Sequence, residues 1–188
     1  MDPQLPPPAD LDAPIRELVA DLAHLLGETE AVDICADLLT GAEPAGYASV
    51  LPYLAGTPAY GVLDGTWRDY WARTWGGRGL LHVWRDAATD AVLRGLDDEH
   101  WRPAEMSLKV AAARELAVAA DGAVVLSRHE LPRVRACALR MLGRAGDTEH
   151  VDVVRSGLGD PHVDVRRAAG LALERMAARL DLADEVWG

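Results

Sequence analysis

The sequence contains no phenylalanine, only two isoleucines and seven threonines. It also lacks any run of alternating apolar and polar residues bounded by turn residues, which is the pattern that favours a β-strand. Apolar residues recur instead at three- and four-residue steps, from residue 10 to about residue 39 and again from residue 67 nearly to the end, as they do along one face of a helix. The pattern predicts an all-α fold.

Cysteines and long apolar runs are also scarce. Cys35 and Cys137 are too few and too far apart for a disulfide framework or a cysteine-rich zinc site. No apolar run approaches the roughly 18 residues that a membrane-spanning helix needs, and the first ten residues lack the features of a signal peptide. No HExxH, CxxC, phosphate-binding loop or GxSxG motif occurs. We therefore expect a soluble, cytoplasmic protein and assign no catalytic residue, metal ligand or cofactor.

Positive charge is the third scarce feature. The chain carries 19 basic and 30 acidic residues, a net charge of -11, and a single lysine, Lys109. Residues 1–66 hold 11 acidic residues against Arg16 alone (net -10), and residues 67–188 hold 18 basic against 19 acidic (net -1), which sum to -11. This balance argues against nucleic acid and anionic membranes as partners. The acidic third either keeps the surface hydrated or packs on an arginine-bearing surface.

The composition also suggests a division of the chain. Residues 1–9 hold four prolines and are expected to form an extended tail. Residues 10–66 are expected to form an acidic N-terminal helical cap, and residues 67–188 a set of repeats. We expect residues 10–188 to form one continuous domain.

The repeats recur at steps of 31 residues. Residues 160–169 read DPHVDVRRAA, and residues 129–138 read HELPRVRACA, so that Val134 and Arg135 align with Val165 and Arg166. Between such segments lie second helical segments, at about 86–96, 121–127 and 148–158. Each repeat is therefore predicted to be a pair of antiparallel helices whose shared core forms by stacking. We expect Val134 and Val165 to be buried at equivalent places, and helices to start at Pro132 and Pro161.

The motif D-P-x-V-x-V-R-x-A-A resembles the HEAT repeat and the related HEAT-like repeat of phycobilisome lyases, a bacterial type of short solenoid. The resemblance covers residues 67–180 and implies a right-handed α-solenoid of antiparallel helix pairs. In that family an Asp in the turn and an Arg six residues later tie neighbouring repeats together. Asp160 and Arg166 occupy both positions, whereas Arg135 and Arg73 supply the Arg alone. We expect Asp160 and Arg166 to hydrogen-bond to each other.

The resemblance implies a scaffold and no reaction. The leading hypothesis is an adaptor that binds another protein. The alternative is a DNA-repair enzyme similar to the HEAT-like alkylpurine DNA glycosylases, since five tryptophans and Asp69 lie between residues 67 and 101. Such an enzyme needs a basic groove, whereas the chain is acidic. The pair His129-Glu130 is similar to the metal-binding pairs of deoxyhypusine hydroxylases, but that family needs several, so no metal site is predicted.

The tryptophans supply the candidate binding residues. On one continuous helix the core-facing stripe consists of Ala72, Gly76, Gly79, Leu80 and Val83. A second stripe consists of Trp67, Trp71, Trp75, Arg78 and His82. The indoles either seal the end of the solenoid against the N-terminal helices, or remain partly exposed beside Arg78 as a partner surface, because Trp and Arg dominate binding hot spots.

Overall fold

A computed structural model describes residues 2–182. Over this range the chain forms eleven α-helices and no strand, which confirms the predicted all-α fold. The helices are α1 (Ile15–Leu26), α2 (Glu28–Leu39), α3 (Leu51–Ala55), α4 (Ala59–Leu63), α5 (Tyr70–Gly79), α6 (Thr89–Leu96), α7 (Trp101–Ala113), α8 (Ala120–Leu126), α9 (Pro132–Ala145), α10 (Val151–Ser156) and α11 (Val163–Leu180). None of the helices in residues 2–182 has the length and hydropathy that a membrane span requires.

The helix starts follow the predicted period. The first helices of the four repeats start 31 residues apart, at Tyr70, Trp101, Pro132 and Val163. The second helices also start 31 residues apart, at Thr89, Ala120 and Val151, each after a short 3-10 turn. Pro132 is the first residue of α9, as predicted. The predicted helix start at Pro161 is wrong by two residues, because α11 starts at Val163 after His162, whose ring accepts the N–H of Asp164.

The chain divides into two compact units, Met1–Met106 and Ser107–Gly188. In the first unit α2 packs against α1 and α5, and in the second α9 packs against α8 and α11. The predicted repeat positions Val134 and Val165 are both buried. The predicted core stripe, Ala72, Gly76, Gly79, Leu80 and Val83, is buried as well, although α5 ends at Gly79.

Residues 2–9 of the proline-rich tail form no helix or strand and lie against the segment around α3. The main-chain N–H of Leu5 donates to Oγ of Ser49 at 3.0 Å. The hydroxyl of Tyr53 donates to the main-chain oxygen of Pro6 at 2.8 Å. The expected boundary at residue 67, and the expected continuity of residues 10–188, stay predictions.

Arg135 links the turn before its own helix to the turn before the next one. Its Nε and Nη2 donate to the two carboxylate oxygens of Asp160 at 2.8 and 2.9 Å. Its Nη1 donates to the main-chain oxygens of His129 and Glu130, both at 2.9 Å. Oδ1 of Asp160 also accepts the main-chain N–H of His162. The hydrogen bonds from Arg135 are the main reason why the pKa of Asp160 lies below its ordinary value.

The same link occurs in the first unit, where Nε and Nη2 of Arg73 donate to the Asp98 carboxylate at 2.7 and 3.1 Å. One period after Arg73 and Asp98 the sequence has Ala104 and His129. The repeat between the two links therefore has no Arg–Asp pair at these positions. The predicted hydrogen bond between Arg166 and Asp160 is present, but Nη1 of Arg166 donates to the main-chain oxygen, at 2.8 Å. The carboxylate itself is held by the arginine of the preceding repeat.

Arg135 and Arg166 occupy the same repeat position, and only Arg135 binds a carboxylate. We expect Arg135→Ala to lower the free energy of unfolding by about 1–3 kcal/mol, because the buried side of the Asp160 carboxylate loses its partner. Arg166→Ala should cost less than about 1 kcal/mol, because this guanidinium is exposed and binds only carbonyls. Urea unfolding of both variants measures the difference, and equal losses would contradict this account of the link.

Helices α9 and α11 approach each other closely at Gly143. A Cβ atom at Gly143 would lie 2.7 Å from both Cα and Cβ of Ala172, closer than real atoms pack. Gly170, in the middle of α11, has no heavy atom within 4 Å of the corresponding point. Both glycines lie within helices, but only Gly143 has a neighbouring helix close to the position of a Cβ atom.

We expect Gly143→Ala to lower the free energy of unfolding by about 1–3 kcal/mol, because the added methyl group pushes α9 away from α11. The matched variant Gly170→Ala should raise it by about 0.5–1 kcal/mol, because alanine favours the helix and meets no neighbour. Thermal unfolding followed by circular dichroism tests both. A rise in the melting temperature of Gly143→Ala would show that this packing is looser than described.

Candidate functional site

The segment leading into α5 brings three tryptophans together. Trp71 and Trp75 lie four residues apart on α5 and therefore on one side of it, whereas Trp67 lies three residues before the helix. Their ring centroids are separated by 5.4 Å (Trp67 and Trp71), 6.1 Å (Trp71 and Trp75) and 6.3 Å (Trp67 and Trp75), with tilted planes. These separations are typical of interacting aromatic rings. Three of the five predicted binding residues thus form one group.

The three indoles differ in exposure. Trp75 is 3% exposed and belongs to the core, Trp71 is half-buried, and Trp67 is 42% exposed. The inner side of Trp67 lies over Gly61 of α4, where a Cβ atom would come within 2.6 Å of the ring. Its main-chain N–H donates to the main-chain oxygen of Gly61 at 2.7 Å. The group therefore packs in part on the N-terminal segment and in part faces solvent.

The start of α7 adds a cation, Arg102, and the rings of His100 and Trp101, and the start of α5 adds the ring of Tyr70. The guanidinium carbon of Arg102 lies 4.4 Å from the ring centroids of both Trp71 and Trp101. Tyr70 stacks on His100, with centroids 3.6 Å apart and planes 6° apart. We name this set the aromatic–arginine cluster; its members are Trp67, Tyr70, Trp71, Trp75, His100, Trp101 and Arg102. It presents a cation between two indoles beside a partly exposed third indole.

The structure places the other two predicted binding residues differently. Because α5 ends at Gly79, the helical stripe includes Arg78 but does not continue to His82. Arg78 Nη2 donates to the main-chain oxygen of Leu54, and its Nε is buried without a partner among residues 2–182. Burial lowers the pKa of Arg78. His82 is exposed in the turn beyond α5.

Arg102, which contacts the indoles, was not among the residues predicted for this site. A signal for it does exist in the sequence, since Trp101-Arg102 follows Tyr70-Trp71 by one repeat period of 31 residues. Residues one period apart occupy equivalent places on neighbouring helices of a repeat array. The start of α7 is therefore expected to lie beside the start of α5.

Three histidines in the turns before helices have a structural role; His100 and His162 share one repeat position, and His129 lies two residues earlier in its repeat. The Nδ1 atoms of His100, His129 and His162 accept the main-chain N–H of the residue two further along, at 3.3, 2.9 and 3.2 Å. Each ring thereby satisfies an N–H group at the start of a helix. Within residues 2–182 there is no group of three or more His, Cys, Asp or Glu side chains able to hold a metal ion. The pair His129-Glu130 belongs to such a turn.

Comparison with known families agrees with this architecture for part of the chain. Residues 120–184 match the family model of HEAT repeats, a stretch that starts with α8 and includes α9, α10 and α11. The match indicates an α-solenoid arrangement here, and HEAT repeats commonly mediate protein–protein interactions. No curated protein matches the chain.

The cluster makes His100 a measurable probe. Burial, and after it the charges of Arg102 and Arg73, lower the pKa of His100, whereas Asp98 and Glu99 oppose this shift. We expect Arg102→Gln to raise the pKa of His100, because a positive neighbour disfavours the imidazolium. An NMR titration of the His100 ring proton measures the change. Arg68→Gln, which alters an exposed arginine outside the cluster, should leave the pKa unchanged.

The lowered pKa of His100 also determines how the stability of the folded protein changes with pH. Because the pKa of His100 is lower in the folded protein than in the unfolded chain, protons bind preferentially to the unfolded state. The contribution of His100 to the free energy of unfolding is therefore present at pH values above 6.5, the ordinary pKa of histidine, and decreases as the pH falls below 6.5. A stability contribution that grew on acidification would contradict the described burial of this ring.

Proposed function

We propose that the protein is an adaptor or scaffold that binds another protein through the aromatic–arginine cluster. The observation that carries the proposal is the partly exposed Trp67, whose ring lies 5.4 Å from that of Trp71, while Trp71 and Trp101 both hold the guanidinium of Arg102. Trp, Tyr and Arg are the residue types that dominate the energy of protein interfaces. A HEAT-type scaffold also fits this role, since such repeats present extended surfaces for binding.

The physical support lies in how the cluster holds its members in place. Arg102 is positioned by two rings before any partner arrives, so little side-chain entropy remains to be lost on binding. Its guanidinium is weakly hydrated and keeps donors available at its edge. The exposed part of Trp67 supplies apolar area that is worth about 25 cal/mol per Å² once it is removed from water.

The local charges favour a protein partner over DNA. Asp69 is exposed, and Asp98 and Glu99 lie near the same helix starts. The neighbouring Arg73 is already paired with Asp98 at 2.7 Å. A glycosylase would need several cations around its aromatic residues to neutralise phosphates. The described surroundings of this cluster supply Arg102, the exposed Arg68, and Arg73, which already binds carboxylates, so the cations are few and acidic residues lie among them.

The test compares proteins captured from a lysate of the source organism on the immobilised wild-type chain and on Trp67→Ala. We expect a partner of the wild type whose affinity for Trp67→Ala falls about thirtyfold, as for a truncated hot-spot residue. Trp67→Ala also loses the packing of the indole on Gly61 and lowers the melting temperature to some extent, so circular dichroism first checks that the variant is folded at the temperature of the assay. Quantitative mass spectrometry measures the capture, and titration with the recovered partner measures the affinity.

Val125→Ala is the matched control, because Val125 is apolar, lies in the second unit and is 69% exposed. It should capture the same partner as the wild type. Equal capture by Trp67→Ala and the wild type would refute the proposal. Selective binding of duplex DNA containing an alkylated base, abolished in Trp67→Ala, would favour the glycosylase alternative.

A further inference from the structure

Basic side chains converge on one face of the second unit. Arg140 and Arg144 lie four residues apart on the same side of α9. Lys109 of α7 precedes Arg140 by 31 residues, and Arg175 of α11 follows Arg144 by 31 residues. The repeat period therefore places cations from three helices next to one another.

These side chains line a groove. One depression is bordered by Lys109, Arg140, Arg144 and Arg175, with Ala112, Ala113 and Cys137 among its lining residues. An adjoining depression shares Arg144 and Arg175 and extends to Arg179. We name the two together the basic groove. It combines cationic sides with a floor of small apolar side chains.

The cations of the groove are only partly neutralised. Arg144 lies 3.7 Å from the carboxylate of Glu115, which also lines the groove. Nη2 of Arg179 donates to the main-chain oxygen of Gly146. Arg140 and Arg175 form no hydrogen bond or ion pair with any of residues 2–182. A positive field thus exists locally on a chain whose net charge is -11.

We propose that the basic groove binds an acidic peptide segment of a partner protein. Guanidinium groups hold carboxylates through paired hydrogen bonds, and the apolar floor suits the backbone and side-chain stems of a peptide. A long nucleic acid would extend beyond the groove and meet the repulsion of the acidic remainder of the chain. A short segment gains the local attraction without that repulsion.

The groove also sets the length of the segment. It crosses the C-terminal part of α7, then α9 and α11. Packed helix axes lie about 8–10 Å apart, so an extended chain that advances about 3.3 Å per residue crosses them with about six residues. Carboxylates on both edges of such a segment can reach cations on different helices.

The probe is a fluorescein-labelled oligoglutamate peptide of about six residues, matched to the width of the groove. Fluorescence anisotropy measures its binding to the full chain at low and high salt. Arg140→Gln/Arg175→Gln should weaken binding about tenfold, as expected for two partly exposed ion pairs. The control Arg85→Gln/Arg167→Gln removes the same charge from exposed positions outside the groove and should change binding less than about twofold, since distant charges are screened.

Two further variants sharpen the test. Glu115→Gln should tighten peptide binding, because it removes a negative charge that repels the acidic peptide and frees Arg144 from its ion pair with Glu115. Trp67→Ala should leave peptide binding unchanged, which keeps this proposal separate from the aromatic–arginine cluster. No binding at low salt, equal losses in the two double variants, or tighter binding of an oligothymidylate of the same length would each overturn the proposal.

Discussion

A guanidinium that spans two turns is the contact on which the repeat depends. Arg135 uses one nitrogen for carbonyl oxygens at the start of its own helix and the other two for the Asp160 carboxylate. The same carboxylate accepts the N–H of His162, so one acidic side chain shapes its turn and receives the arginine. Lysine could not replace this arrangement, because it lacks the planar fork. Arg73 forms the same paired bonds with Asp98 in the first unit, but its Nη1 donates to the Asp69 carboxylate and not to carbonyl oxygens.

Because the turns recur at a fixed distance, residues that are 31 positions apart in the sequence are spatial neighbours within a unit. The start of α5 therefore meets the start of α7, and Arg102 lies against Trp71. In the second unit the same rule brings Arg144 beside Arg175. Both surfaces arise from short local sequences that the repeat aligns, and neither needs a long contiguous motif.

The two surfaces also show how far net charge describes this molecule. The charge of -11 is a sum over the chain and sets its long-range field. Within about a Debye length, roughly 8–10 Å, the nearest side chains determine the potential instead. The proposed binding of an acidic segment on an acidic protein rests on this short range, because Arg140 and Arg175 both line the groove. The net charge alone predicted that the chain does not bind polyanions such as nucleic acid, and it gave no indication of the basic groove.

The sequence by itself determined the features that depend on neighbours along the chain. Apolar spacing predicted the helices, the 31-residue period predicted their spacing, and the alignment of the repeats predicted the burial of Val134 and Val165. Tertiary structure alone decided which arginine holds the Asp160 carboxylate, because Arg135 lies 25 residues away and Arg166 only six. It likewise placed Arg102 among the indoles and left Trp67 partly open, since exposure depends on which distant segment covers a ring.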